Sequence, residues 1–169
     1  MRIDQELVVR GLCESRQEAQ ECINNGYVYL DGTVVLKKTR QVTSSSVITI
    51  TQRRKFVSRG GEKLEGILLD IYKDEDTIKS NLINKIALDI GSSTGGFTDC
   101  LLSYGVQHVT AVDVGTSQTH QKLLNIPSVT IIEKTDIRNF SSTSTFDIIV
   151  VDLSFISLEK VIETIYTFG

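Results

Sequence analysis

The residues best suited to chemistry surround a glycine-bearing turn in the middle of the chain. An apolar run containing Asp89 leads into residues 91–96, where no side chain is larger than threonine. Small residues there let the backbone approach a ligand closely, and a following helix directs unpaired N–H groups at it. A second apolar run ends in Asp113, twenty-two residues past Gly91, and a carboxylate at that distance can reach a ribose hydroxyl pair. This pattern predicts a nucleoside-cofactor site.

The spacing of the turn favours one cofactor over others. The pattern is D-x-G-x-x-x-G from Asp89 to Gly95, which differs from the dinucleotide fingerprint G-x-G-x-x-G. No lysine lies between Lys85 and Lys122, so a phosphate-binding P-loop is excluded. An acid two residues before the first glycine suits the cationic amino-acid end of S-adenosylmethionine. The alternative is a glycine turn that only packs a helix on a strand.

The residues predicted to bind S-adenosylmethionine lie in this turn and just after the neighbouring strands. Asp136 is included because it follows the third predicted strand, where its carboxylate could accept from an adenine amino group. The full set is Asp89, Gly91, Ser92, Ser93, Gly95, Gly96, Phe97, Asp113 and Asp136.

These residues require a parallel sheet to position them. Apolar runs predict strands near 85–90, 108–113, 129–133 and 146–152. Helices are expected near 98–104, 116–125 and 158–167, after an amphipathic helix from Gly61 to about Tyr72, whereas polar residues 73–84 are expected to form a loop. Alternating strands and helices indicate a doubly wound, Rossmann-like α/β domain with ligands at the carboxyl ends of its strands.

The first third of the chain has a different character. Residues 1–63 contain eleven Lys and Arg against seven Asp and Glu, whereas residues 64–169 contain seven against fourteen. Within 37–63 the only acid is Glu62. A basic segment joined to an acidic half predicts a polyanion-binding module, with a merely solvated basic face as the alternative.

Residues 1–50 predict a small α+β domain. Two short helices are expected, the second capped by Ser15 with Glu18 three residues later, and Asp31-Gly32 favours a tight hairpin turn before a last strand at 47–50. Together with the charge pattern this favours a nucleic-acid-binding domain. Its predicted nucleic-acid contacts, with those of the following basic segment, are Arg2, Arg16, Lys37, Lys38, Arg40, Arg53, Arg54, Lys55 and Arg59.

Composition excludes several other classes. No apolar run approaches the roughly 18 residues of a membrane span, and the N-terminus lacks a signal-peptide pattern. Cys13, Cys22 and Cys100 are an odd number without C-x-x-C spacing, so neither a disulfide framework nor a metal site is expected. We therefore expect a cytoplasmic protein that binds no membrane and no metal, and the oligomeric state stays open.

Two sets of motifs lie in the two parts of the chain. The N-terminal motifs are Arg2-Ile3-Asp4, Gly11-Leu12, Ser15-Arg16, Ala19, Ile23, Gly26-Tyr27-Val28, Asp31-Gly32 and Lys37. They resemble the RNA-binding domain named after ribosomal protein S-four, which makes the predicted nucleic-acid contacts RNA contacts. The later motifs are 56–64, Gly91 to Leu102, Asp113-Val114-Gly115 with Gln118 and His120, Asp136-Ile137-Arg138 and 152–158. They resemble the TlyA, or hemolysin A, family.

This resemblance implies an FtsJ-like, S-adenosylmethionine-dependent methyltransferase that modifies ribose 2′-hydroxyls of ribosomal RNA, alone or in ribosomal subunits. It implies two domains: an S-four-type RNA-binding domain over residues 1–58 and an FtsJ-like methyltransferase domain over residues 59–169. It also makes Lys63 and Asp152 the first two members of a catalytic Lys-Asp-Lys-Glu set. The other two members are expected beyond residue 169. The methyltransferase domain is therefore expected to be partial, because its C-terminal strands are missing. We also expect the methyl-transfer activity of this 169-residue form to be impaired.

Two further classes remain as alternatives. A non-catalytic RNA-binding protein would keep the N-terminal module beside a degenerate or truncated methyltransferase domain. A membrane-lytic protein, which the hemolysin name suggests, needs a long apolar or strongly amphipathic segment. The sequence has no such segment, and the glycine turn would then be unexplained.

Overall fold

The structure is a computed structural model that describes residues 1–51, 55–154 and 156–169. It divides into two units, Met1–Arg54 and Lys55–Gly169, each with its own buried apolar cluster. Two of the predicted RNA contacts, Arg53 and Arg54, lie outside the described residues.

The first unit is a helix pair on a small antiparallel sheet. Its elements are α1 (Ile3–Val9), α2 (Arg16–Asn24), β1 (Val28–Leu30), β2 (Thr33–Val34) and β3 (Ile48–Ile50), in the sheet order β2-β1-β3. The Ser15 side chain accepts from the Glu18 amide at 3.1 Å and so starts α2 where the capping pattern predicts. Asp31 and Gly32 have φ of 49° and 81°, as a type I′ hairpin turn requires.

The second unit is built on a parallel sheet. Its strands are β4 (Ile86–Ile90), β5 (His108–Val112), β6 (Val129–Ile132) and β7 (Ile148–Val151), in the order β6-β5-β4-β7. Its helices are α3 (Arg59–Tyr72), α4 (Glu75–Leu82), α5 (Gly96–Ser103), α6 (Gln121–Leu124) and α7 (Ile162–Tyr166), with 3₁₀ turns at Ile137–Asn139 and Leu158–Lys160. The predicted α/β class with a parallel sheet is confirmed.

Alternating residues of the central strand β4 belong to two apolar clusters. Ala87 packs with α3, α4 and α5 through residues such as Leu64, Ile78 and Leu101. Leu88 and Ile90 belong to the other cluster. Since successive side chains of a strand point to opposite faces, Asp89 shares the face of Ala87, which is the face covered by α5.

Two sequence-based expectations about helices were wrong. Residues 73–84 contain α4, because the Asp74 carboxylate accepts from the Thr77 amide at 2.7 Å and because Ile78 and Leu82 are buried one turn apart. The helix expected at 116–125 is reduced to Gln121–Leu124. Glu133 accepts from the Ser117 amide at 2.7 Å, which keeps the preceding residues out of the helix.

No helix in the described parts of the chain is both long enough and apolar enough to cross a membrane.

Candidate cofactor and catalytic site

The turn after β4 is shaped by the close approach of another strand end. Gly91 has a φ of +80°, and a Cβ there would lie 2.4 Å from the Asp152 carbonyl oxygen. The Asp152 amide in turn donates to the Ile90 carbonyl at 3.0 Å. Gly91 is therefore required by both its conformation and its neighbour. The contact joins the ends of β4 and β7, so the glycine turn and Asp152 form one corner of the sheet.

Asp113 holds the opposite side of this turn. One oxygen of its carboxylate accepts from the Ser93 amide at 2.7 Å, and the other accepts from the Gly115 amide at 2.7 Å. A carboxylate has about four acceptor positions. These two bonds therefore orient Asp113 and leave part of its acceptor capacity unused. The remaining positions are available to a pair of hydroxyl groups.

An open cavity of about 640 Å³ lies at this edge of the sheet, within the size range of small-molecule sites. Five of the predicted site residues line it: Gly91, Ser93, Asp113, Asp136 and Asp152. The structure therefore brings together residues that are up to 61 positions apart in the sequence, as the parallel sheet predicts.

A smaller neighbouring cavity of about 180 Å³ is lined by three of the remaining predicted residues. Ser92, Gly96 and Phe97 line it, together with Ser58 and Gly60, which start α3. The two cavities share Gly91, Ser93 and Asp152.

The start of α5 depends on two glycines. A Cβ on Gly96 would lie 2.2 Å from the Ser58 hydroxyl oxygen, so the beginnings of α3 and α5 fit together only because this residue is glycine. Gly95 is outside both sets of lining residues. Its φ of +92° begins α5, and a Cβ there would lie 2.2 Å from a Leu123 methyl carbon.

Asp89 lies beneath the turn rather than among the residues that line the cavities. Its side chain is fully buried, and one carboxylate oxygen accepts from the Thr98 hydroxyl at 2.7 Å. The other oxygen has no hydrogen-bond partner among the residues that the structure describes. Burial raises the pKa of Asp89 to about 6, with further increases from Asp113 and Asp152, although Thr98 partly opposes the shift. A buried carboxylate with an unsatisfied oxygen fits a site completed by a cationic ligand.

Asp136 is engaged by a partner that the sequence did not identify. Arg138 donates from Nε to one Asp136 oxygen at 2.9 Å and from Nη2 to the other at 2.6 Å. These side-chain bonds, with the Arg138 amide, lower the pKa of Asp136 to about 2. Asp136 is therefore held as a carboxylate at the cavity edge, with Arg138 beside it.

Lys63 and Asp152 form an ion pair although they are 89 residues apart. The Lys63 ammonium donates to the Asp152 carboxylate at 2.9 Å and lies 5.7 Å from the centre of the Phe97 ring. Both side chains are about half exposed, at 56% and 47%. The pair is therefore accessible to a large substrate, and Asp152 also lines both cavities.

The predicted RNA contacts fall in both units. In the first unit, Arg2 and Arg16 converge on the buried carboxylate of Asp4, whereas Lys37 and Arg40 are exposed. Lys38 is also exposed.

In the second unit, Arg59 is exposed at the start of α3. Lys55 binds Glu65 at 2.5 Å and Glu75 at 3.0 Å. These bonds, with that to Glu65 the larger effect, raise the pKa of Lys55 against the opposing effect of burial. Lys55 therefore has two acidic partners within its own unit.

Among the lining residues of the larger cavity that sequence reasoning did not predict as site residues, we single out three. Val114 is 69% exposed directly after Asp113 and presents an apolar side chain at the cavity edge. Arg138 could have been found from its place two residues after Asp136. Lys160 gave no signal in the sequence, because it lies in a predicted helix and belongs to no motif.

A parallel sheet with a glycine turn after one strand and an acid after the next defines a Rossmann-like nucleoside-cofactor domain. Residues 56–168 match the FtsJ-like methyltransferase family, and residues 1–48 match the S4 domain. The chain belongs to the FtsJ-like methyltransferase family and carries an S4 domain at its N-terminus.

Curated relatives match nearly the whole chain. It is 39% identical over 170 residues to Hemolysin A of Brachyspira hyodysenteriae, which covers 98% of this chain and 68% of the relative. It is 40% identical over 166 residues to the 16S/23S rRNA (cytidine-2'-O)-methyltransferase TlyA of Mycobacterium tuberculosis (strain ATCC 25618 / H37Rv), which covers 95% of this chain and 59% of the relative. The predicted resemblance to this family is confirmed.

A solved structure from Streptococcus thermophilus that carries a hemolysin name has a TM-score of 0.64 and 30% identity. The match covers 99% of this chain and 61% of that one. The chain thus spans about three fifths of the length of several of its relatives.

Proposed function

We propose that this protein is an RNA-binding, S-adenosylmethionine-dependent methyltransferase that modifies ribose 2′-hydroxyls of ribosomal RNA in the cytoplasm. The observation that carries the proposal is the Lys63–Asp152 pair, 2.9 Å apart, at the edge of the cavity formed by the glycine turn and Asp113. A relative at 40% identity is named as an rRNA 2'-O-methyltransferase, which supports the same reaction here.

The residues of the larger cavity fit the parts of S-adenosylmethionine. The Asp113 carboxylate has acceptor positions left for the two ribose hydroxyls. Val114 offers an apolar surface to the adenine ring, and Asp136 offers an acceptor at the same edge. The unsatisfied oxygen and buried charge of Asp89 favour a cationic group bound near the turn. Gly91 admits the ligand because it has no side chain.

The two units of the chain have separate tasks in this proposal. The S4 domain binds structured RNA through its exposed basic side chains, among them Arg16 and Lys37. Binding of this kind weakens steeply with added salt, because each neutralised phosphate releases counterions.

The methyl group of the bound cofactor is already activated by its sulfonium, so the protein must place the acceptor and help remove one proton. The transfer would form a bond between the ribose 2′-oxygen and the methyl carbon, leave the electron pair of the broken carbon–sulfur bond on sulfur, and release the hydroxyl proton to solvent water. Lys63 orients the hydroxyl by hydrogen bonding, and Asp152 fixes the position of the lysine through a charge-assisted hydrogen bond. Positioning of this kind supplies much of the rate in such a displacement.

The test is a tritiated-methyl transfer assay with ribosomal subunits, followed by digestion to identify 2′-O-methylated nucleosides. A chain extended by the C-terminal segment of a curated relative should transfer label to ribose, and Lys63→Met in the extended chain should abolish the transfer without weakening cofactor binding in calorimetry. Lys79→Met is the matched control, because Lys79 is an exposed lysine on α4 that is not among the cavity-lining residues. An extended chain that binds RNA and S-adenosylmethionine but transfers no methyl group would refute catalysis and leave an RNA-binding protein. Preferential binding of NAD would refute the cofactor assignment.

A further inference from the structure

Asp4 is a fully buried acid in the first unit. It lies in the first turn of α1, and its side chain has no exposed surface. Its carboxylate accepts four hydrogen bonds, all from side chains: two from Arg2, one from Arg16 and one from Gln20. Burial acts to raise the pKa of Asp4, but these hydrogen bonds outweigh burial and lower it. Asp4 therefore stays ionised at neutral pH.

The carboxylate brings together two cations that would otherwise repel each other. Arg2 binds it through Nε and Nη2, both at 3.0 Å, and Arg16 binds it through Nη2 at 3.1 Å. The arginine side chains remain 34% and 53% exposed. A guanidinium has five N–H donors, so each arginine keeps donors that do not bind Asp4. Two oriented guanidinium groups that keep unused N–H donors are well suited to bind phosphate oxygens.

Gln20 extends this arrangement to a third cation. Its amide nitrogen donates to Asp4 at 3.1 Å, and its amide oxygen accepts from the Lys38 ammonium at 3.2 Å. The amide orientation of Gln20 is thus set from both ends. Lys38 is exposed, so its charge joins those of the two arginines on the surface.

We propose that Asp4 is a positioning residue for RNA binding: it presents Arg2, Arg16 and, through Gln20, Lys38 as one preorganised surface for the phosphates of structured RNA. This proposal rests on the proposed function of the first unit. Preorganisation reduces the conformational entropy lost when long basic side chains become ordered on a ligand. A buried acid can in this way strengthen the binding of a polyanion, which is the reverse of what its charge alone would do.

The substitution Asp4→Asn distinguishes positioning from simple charge. It removes one negative charge from a surface that faces RNA, so charge alone predicts tighter binding. Positioning predicts binding about tenfold weaker, the size of one charge-assisted hydrogen bond. It also predicts a smaller slope of log affinity against log salt, by about one to two units, since one or two phosphate contacts are lost. Filter binding of purified ribosomal RNA by the full chain, across a salt series, measures both.

Asp31→Asn is the matched control, because it removes one negative charge in the same unit at a residue that contacts no arginine in the described hydrogen bonds. It should leave RNA affinity unchanged or raise it slightly. The effect of Asp4→Asn should also disappear in a background that carries Arg2→Ala and Arg16→Ala, because Asp4 acts through these arginines.

The outcomes separate the two proposals. A wild-type chain that does not bind RNA refutes both of them. Wild-type binding that Asp4→Asn leaves unchanged or strengthens refutes only the positioning role. If circular dichroism shows Asp4→Asn to be unfolded, Gln20→Leu decides instead, since Gln20 lies nearer the surface: a twofold or greater loss of affinity supports the proposal, and an unchanged affinity refutes it.

Discussion

Asp89 should make the folded protein less stable as the pH rises, whereas most carboxylates do the reverse. Substitution of Asp89 by asparagine should remove this pH dependence. Asp89 is buried beneath the glycine turn, and burial raises its pKa from 3.8 to about 6. The folded protein therefore binds a proton at this residue more tightly than the unfolded chain does. The contribution of Asp89 to stability is fully present below about pH 4 and is lost as the pH rises through about 6.

The size of this effect follows from the difference between the two pKa values. At 1.36 kcal/mol per pKa unit, a difference of about two units corresponds to about 3 kcal/mol of unfolding free energy. The wild type should lose this amount through Asp89 between about pH 4 and pH 7. Asp89→Asn keeps an acceptor for Thr98 but has no charge to titrate, so the loss should be absent in this variant.

Urea unfolding at a series of pH values, without ligand, measures the effect as the difference between wild type and variant. Taking the difference removes the contributions of other titrating groups. Asp147→Asn gives the opposite control, because the Ile86 amide donates to the Asp147 carboxylate and lowers its pKa. That group contributes stability at neutral pH that is lost on acidification. If wild type and Asp89→Asn respond to pH in parallel between 4 and 7, Asp89 does not carry a costly buried charge and the reasoning fails.

Three further predictions concern the proposed cofactor and catalytic site. Gly91→Ala should abolish S-adenosylmethionine binding in calorimetry, because the new Cβ would lie 2.4 Å from the Asp152 carbonyl oxygen; wild-type affinity would contradict the close packing of these two strand ends. Asp113→Ala should weaken the same binding by roughly ten- to a hundredfold, since a charged hydrogen-bond partner is lost, and an unchanged dissociation constant would remove Asp113 from the site. Asp152→Asn should keep cofactor affinity but reduce methyl transfer at least about a hundredfold, and full activity would show that Lys63 needs no partner.

Most of the second unit follows from local patterns in the sequence. Each of the four strands is a largely apolar run, and glycine or an acid follows each of them, at Gly91, Asp113, Glu133 and Asp152. Periodicity and turn chemistry therefore locate the strands within a few residues and place the site at their carboxyl ends. Helix α4 could not be predicted in this way, because it buries only Ile78 and Leu82, and its other residues are polar.

The parts that sequence reasoning missed depend on contacts between distant residues. Helix α6 is shorter than expected because the Ser117 amide donates to Glu133, a residue that directly follows β6. Asp89 was predicted as a ligand contact from its spacing, but its complete burial is a property of the packed α5 helix. Such features arise from tertiary structure, which overrides local preference.

The separation of Lys63 and Asp152 along the chain has a consequence for synthesis on the ribosome. Lys63 lies in the helix that precedes the sheet, whereas Asp152 follows the fourth strand, 89 residues later. Domains generally form in order of their emergence during translation. The N-terminal unit, which has a buried core of its own, is complete long before the ion pair can form. A nascent chain would thus possess its basic surface well before the two proposed catalytic side chains could meet, so capture of RNA would precede any capacity to modify it.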